Sequence, residues 1–172
     1  GGGHLITKPD YDREGLVDLL TRLRDTLDVQ VYLELGTSVA FDAGILVGEV
    51  LDVTQNDGPI AIVDISATCH MPDVLEAPYR PALLGEPTSG GQSVVLGGPS
   101  CLAGDVIGAY AFADLPQAGE RLAFLDQAHY SMVKTSTFNG IALPSIAIWN
   151  SDSDALRLVK QFDYRDFETR LS

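Results

Sequence analysis

Near Val39 the chain changes grammar. Before it, Leu16, Leu19, Leu20, Leu23 and Leu27 recur at three- and four-residue spacing, the period of an amphipathic helix. Arg13, Asp18, Arg22 and Asp25 fall off that leucine stripe, as expected of a helix lying on a sheet. Turn and N-cap chemistry in Lys8-Pro9-Asp10-Tyr11-Asp12 starts the helix, and 29–33 then reads as a short strand ending at Glu34-Leu35-Gly36. After Val39 come runs rich in valine and isoleucine, punctuated by Asn56-Asp57-Gly58-Pro59, by 85–91, by Gly97-Gly98-Pro99 and by 116–119. Segments 45–53, 59–65, 93–96, 109–112, 121–125 and 145–149 have strand length, and the turns between them predict an antiparallel barrel or sandwich. A short strand over 156–162 and a helix over 164–171 close the sequence. The expected fold class is therefore α/β followed by all-β, with the boundary between residues 38 and 39.

Composition narrows the function. With 172 residues, 45% of them hydrophobic, the chain can bury a core, which excludes a disordered polypeptide. A formal charge of −13 repels nucleic-acid backbones and anionic membranes and favours cationic small molecules. Two cysteines make neither a disulfide scaffold nor a four-ligand zinc site and suggest a reducing compartment, with cytoplasm the expectation. No apolar stretch is long enough to cross a membrane as a helix, and the N-terminus lacks the order of a signal peptide. The opening Gly1-Gly2-Gly3-His4, without an initiator methionine, reads as a loop that follows something, so an earlier part is expected to be missing.

Several segments carry candidate chemistry. Consecutive glycines let backbone N–H groups converge on an anion, and a helix soon after adds a positive dipole end; a floppy terminus has the same sequence. Glu34 sits where a strand meets a glycine and could hold a proton on a heteroaromatic nitrogen, or simply be a solvated glutamate. Cys69-His70-Met71-Pro72-Asp73 packs a thiol, an imidazole and a carboxylate into five residues, yet no third metal ligand is apparent. Glycines and a proline in Gly97-Gly98-Pro99-Ser100-Cys101-Leu102-Ala103-Gly104-Asp105 hold a thiol and a carboxylate on a constrained loop. His129-Tyr130 and Phe138-Asn139-Gly140 offer a phenol and an amide that could reach one ligand.

Taken together, Gly1-Gly2-Gly3-His4, His70-Met71-Pro72-Asp73-Val74-Leu75-Glu76, Pro78-Tyr79-Arg80-Pro81, Cys101-Leu102-Ala103-Gly104-Asp105-Val106-Ile107-Gly108, His129-Tyr130, Val133-Lys134-Thr135 and Phe138-Asn139-Gly140 resemble one family in order and over nearly the whole chain. It is the carboxynorspermidine (carboxyspermidine) decarboxylase family, pyridoxal-phosphate enzymes of polyamine synthesis related to ornithine and diaminopimelate decarboxylases and, more distantly, to alanine racemase. The resemblance implies a (β/α)8 barrel followed by a C-terminal antiparallel β domain. On that basis 1–38 is the remnant of the barrel and 39–172 the β domain, its terminal helix packing back toward the barrel. The lysine that carries the cofactor would precede the region given. None of Lys8, Lys134 and Lys160 has its context, so the chain alone is expected to be inactive.

The same resemblance assigns roles. Gly1, Gly2 and Gly3 would form the phosphate loop of pyridoxal 5′-phosphate, Glu34 would pair with the pyridinium nitrogen beside Gly36, and Tyr130 would touch the phosphate. Cys101 would guide protonation of the decarboxylated carbon with Asp105 beside it, both reaching the partner's site across a homodimer. Asp73 would hold a substrate amine, with Thr37 and His4 lining the pocket; no metal is implied. Where the family commonly reads Glu-Pro-Gly-Glu this chain has Glu34-Leu35-Gly36-Thr37, losing a stiffening proline and a second carboxylate, and Ala77 replaces a usual methionine. The activity implied is decarboxylation of carboxynorspermidine or carboxyspermidine. The rival readings are a non-catalytic β domain that regulates or dimerises with a full-length decarboxylase, and a free-standing β-barrel binding module.

Overall fold

The computed structural model describes residues 3–171. After a 3-10 turn at His4–Thr7, helix α1 spans Arg13–Leu27 and the short helix α2 Gly36–Ala40. Strands β1 (Leu46–Gln55) and β2 (Pro59–Val63) follow, then two short helices, α3 (Ala67–His70) and α4 (Asp73–Glu76). Strands β3 (Gln92–Gly97), β4 (Val106–Phe112) and β5 (Arg121–Phe124) precede α5 (Tyr130–Val133) and a second 3-10 turn at Phe138–Gly140. Strands β6 (Ile146–Asn150) and β7 (Ala155–Lys160) and helix α6 (Tyr164–Glu168) complete the order.

Local chemistry sets these boundaries. Asp12 caps α1 by accepting from the Gly15 amide at 2.8 Å, and Asp28, in the left-handed region, ends it. Asp57 at φ 55° and Gly58 make the tight reversal between β1 and β2. Asp163 caps α6 in a reciprocal capping box with Asp166.

Five strands form one sheet in the order β4-β3-β2-β1-β5. The alternation of buried Val50, Ala61, Val63, Val94, Leu96 and Leu122 with more exposed neighbours turns one face inward. Although β4 and β5 are the outermost strands, the Tyr110 and Phe124 rings meet edge to face at 5.7 Å. The sheet therefore curls into a half-barrel around its core, which Ile65, Met71, Leu83 and Ile107 fill. Residues beside Leu83 extend the β5 edge, Leu84 donating to the Ala123 carbonyl and Leu125 to that of Ala82.

Two expectations need correction. The sheet is mixed: β2 and β3 run parallel, while the other pairs are antiparallel. A parallel pair needs a long crossover, and the residues between β2 and β3, with α3 and α4, supply it. Residues 29–33 form no strand; they are exposed, and no strand among the described residues pairs with them. The β6–β7 hairpin is a separate two-stranded sheet with Trp149, Leu156 and Leu158 exposed, and α1 buries no residue.

Candidate functional site

The expected site residues fall into two groups. The first surrounds α2. Gly3 adopts φ +80°, and a Cβ there would lie 2.9 Å from Leu35 Cδ2 and 3.1 Å from Leu35 Cα, so only glycine fits. That close approach brings Gly3 against the turn holding Glu34 and Gly36, both exposed, with Thr37 half-buried. Ser38 closes the turn, its amide and hydroxyl donating to the Leu35 carbonyl at 2.9 and 2.6 Å. Gly1, Gly2 and the His4 side chain lie outside the described residues.

Just beyond α2, the Asp42 amide donates to Asp126 Oδ1 at 2.8 Å and the Gln127 amide to the Gly44 carbonyl at 2.8 Å. A Cβ on Gly44 would come within 2.9 Å of Ala128 Cβ, so the two segments touch. These contacts deliver the chain to His129 and to Tyr130, which opens α5 with its side chain largely exposed. Gly3 thus meets the turn that holds Glu34 and Gly36, and the segment after α2 pairs with the one that leads to Tyr130.

The second group is built on α3. Ser66 caps that helix, its hydroxyl accepting from the Cys69 amide at 3.0 Å and donating to Asp105 at 2.9 Å. Asp105, 3% exposed, also accepts from the amides of Thr68 at 3.1 Å and Ser100 at 3.0 Å. Burial pushes the Asp105 carboxyl up, but the Ser100 side chain and the hydrogen bonds from Thr68, Ser100 and Ser66 outweigh it, and the group is held below the usual carboxylate range. The Ser100 hydroxyl lies beside the carboxylate out of hydrogen-bond geometry. Above this anchor Cys101 is exposed, in the left-handed region at φ 63°.

His70 cannot serve as a metal ligand in this arrangement. Its Nδ1 accepts from the Ser66 amide at 3.1 Å, while Nε2 lies 2.9 Å from the Ala142 carbonyl and acts as donor to it. Burial lowers its pKa, partly offset by the Ala142 carbonyl, Asp105 and Asp64. Cys69 is buried and directs its thiol at the Phe138 carbonyl. Among the described residues no group of three or more histidine, cysteine or acidic side chains could hold a metal ion.

Asp73 already has an ammonium partner. Lys134, at the end of α5, bridges Asp73 and Glu76 of α4, and these bonds, Asp73's first, push its pKa up to about 12. Sequence reasoning missed this pair and the Ser66 anchor. Ser66 is of a residue type that caps helices, but nothing local marked it as the anchor of Asp105 or Lys134 as the partner of Asp73.

Residues 11–128 match the family model described as pyridoxal-dependent decarboxylase, C-terminal sheet domain. The chain belongs to that family. It is 40% identical to a carboxynorspermidine/carboxyspermidine decarboxylase of Campylobacter jejuni over 99% of its own length and 48% of the relative's. It is 39% identical to a carboxyaminopropylagmatine decarboxylase of Synechocystis over 99% of its length and 45% of the relative's. A crystal structure of Campylobacter jejuni carboxynorspermidine decarboxylase complexed with norspermidine superposes with a TM-score of 0.85 at 39% identity, covering 97% of this chain and 48% of that one. The chain thus spans about half the length of the curated relatives it matches. No helix among the described residues of this decarboxylase-family domain is long and apolar enough to cross a membrane.

The residues present fit the family's cofactor. At Gly3 no side chain can intrude on an anion, and Glu34, next to the Leu35 that Gly3 touches, is an exposed carboxylate.

Proposed function

We propose that this chain forms the C-terminal part of a pyridoxal-phosphate-dependent carboxy-lyase that converts carboxynorspermidine or carboxyspermidine to the corresponding polyamine. The observation that supports this reading is the packing of Gly3 on Leu35, the residue that follows Glu34. Relatives named for carboxynorspermidine and carboxyspermidine, and the norspermidine complex, support the substrate class. Bound pyridoxal 5′-phosphate would supply an electron sink for the pair left behind as carbon dioxide departs.

Within that reading each residue has a task. The Gly3 amide, with those of Gly1 and Gly2, binds phosphate oxygens, and the Tyr130 hydroxyl donates to another. Glu34 keeps a proton on the ring nitrogen, since an adjacent carboxylate favours the cationic form. Cys101 delivers a proton to the carbon that lost its carboxylate, and it does so in the site of a partner subunit in a homodimer. Asp73 receives a substrate ammonium by exchanging it for Lys134, while Thr37 and His4 line the pocket. The formal charge of −13 draws polycations toward the surface.

The test is to incubate the enzyme that contains this chain with carboxynorspermidine, carboxyspermidine and carboxyaminopropylagmatine in turn and to follow amine products by mass spectrometry. Norspermidine or spermidine is expected as the faster product. Exclusive turnover of carboxyaminopropylagmatine would move the substrate to a guanidino polyamine, the chemistry in the Synechocystis relative's name. No product from any of the three, with cofactor bound, would overturn the reading.

A further inference from the structure

Cys101 is an exposed residue in a backbone conformation that L side chains seldom adopt, and such a conformation persists only where the surroundings impose it. Its loop is gripped immediately upstream, at both backbone polar groups of Ser100. The Ser100 amide donates to Asp105 at 3.0 Å, and the Ser100 carbonyl accepts from Asn139 Nδ2 at 2.8 Å. Both grips trace back to α3. Asp105 is held by Ser66 and Thr68. The turn carrying Asn139 is pinned by the Ser136 amide donating to the Cys69 carbonyl at 2.9 Å and by His70 donating to Ala142. Asn139 is itself left-handed at φ 55°, which turns the segment within the 3-10 turn where its amide reaches Ser100.

We infer that Asn139 is a positioning residue: it grips the Ser100 carbonyl while Asp105 grips the Ser100 amide, and together they fix the backbone of Cys101 and the direction from which its thiol delivers a proton. The inference rests on the reading of Cys101 as proton donor. It also changes the part played by Asp105, which is buried beneath the loop and acts through Ser100 instead of touching substrate.

Chemistry supplies a readout that stability does not move. Replacing carboxylate by hydrogen leaves a CH2 group, so turnover in deuterium oxide gives one CHD centre whose handedness records the face of proton delivery. Asn139→Gly is the clean variant, because glycine keeps φ near +55° without strain and deletes only the amide. Asn139→Asp keeps the shape and sets an acceptor against the Ser100 carbonyl. In the intact enzyme, Asn139→Gly should lower the ratio of correct-face to wrong-face deuteration about fivefold, the worth of one hydrogen bond, and Asn139→Asp should lower it further. Without substrate, the pH profile of Cys101 alkylation by iodoacetamide should shift in both variants, while buried Cys69 stays unlabelled and reports that the fold is intact.

Cys101→Ala separates the two ideas. If Cys101→Ala scrambles the deuterated centre and both Asn139 variants retain wild-type handedness and alkylation profile, the positioning role is wrong while the proton donor stands. If Cys101→Ala itself keeps full stereospecificity, the proton-donor reading fails and the inference with it. Should Asn139→Gly expose Cys69 to reagent, Asn139→Asp decides on the same criteria.

Discussion

Asp105 is ionised, buried and surrounded by donors, so anything that crowds it disturbs the Cys101 loop. Gly98 is the tightest neighbour: a Cβ there would lie 2.4 Å from Asp105 Oδ2. Gly98→Ala should therefore destabilise the fold by about 1–3 kcal/mol, measured by urea denaturation, and raise the reactivity of Cys69, which the same network covers. A second consequence concerns pH. Burial lowers the His70 pKa, so the unfolded chain binds a proton more readily than the folded one. The stability this contributes is complete above the ordinary histidine value of about 6.5 and is lost as pH falls below it. Asp105, also depressed, acts in a lower window, its contribution fading as pH drops below about 4. The melting temperature should decline between about pH 6.5 and 5, and His70→Gln should be less stable at neutral pH yet lose much of that decline. Equal slopes in the two proteins would rule out His70 as the titrating group. At this scale sequence reading named Gly3, Glu34, Cys101, Asp105 and Tyr130, because family strings and glycine placement mark them. It could not see that Asp73 is paired with Lys134 or that Ser66 and Asn139 converge on one loop, since those bonds join residues 39 to 61 positions apart.

At the scale of elements, periodicity identified α1 and each of the seven strands among the described residues, since hydrophobic runs bounded by glycine, proline and aspartate leave a strong local signal. The parallel β2–β3 pair escaped it. Helices α3 and α4 of the crossover are each four residues long, too short to show a 3.6-residue period, so neither was assigned from the sequence. Residues 29–33 failed for the opposite reason: their sequence suits a strand, but pairing requires a neighbour. Burial now separates the elements energetically. Leu96 on β3 is fully buried, and Leu96→Ala should cost about 2–5 kcal/mol. Leu23 on α1 is 40% exposed in a helix with no buried residue, and Leu23→Ala should change the stability of this chain by less than about 0.5 kcal/mol. Chemical denaturation of both variants tests the contrast; similar losses would mean that α1 is packed more tightly than its exposure indicates.

In the whole molecule, one tract is built on α3, whose network anchors the Cys101 loop, and another on α2, which lies beside Gly3. Under the proposed function, the α2 tract would present Glu34 to the cofactor's ring and the α3 tract would present Cys101, the source of the proton. Under the proposed homodimer, one chain supplies the cofactor end of one site and the proton donor of its partner's. Equal mixing of Glu34→Ala, expected to be inactive, and Cys101→Ala, expected to turn over slowly with scrambled handedness, with exchange of subunits, then yields hybrids in which one site carries both lesions and the other carries none. Formation of amine product with correct handedness, measured against wild-type enzyme at equal concentration, is expected to return to about a quarter of the wild-type rate. A mixture no more active than the separate variants would contradict a site assembled from these two tracts of different subunits.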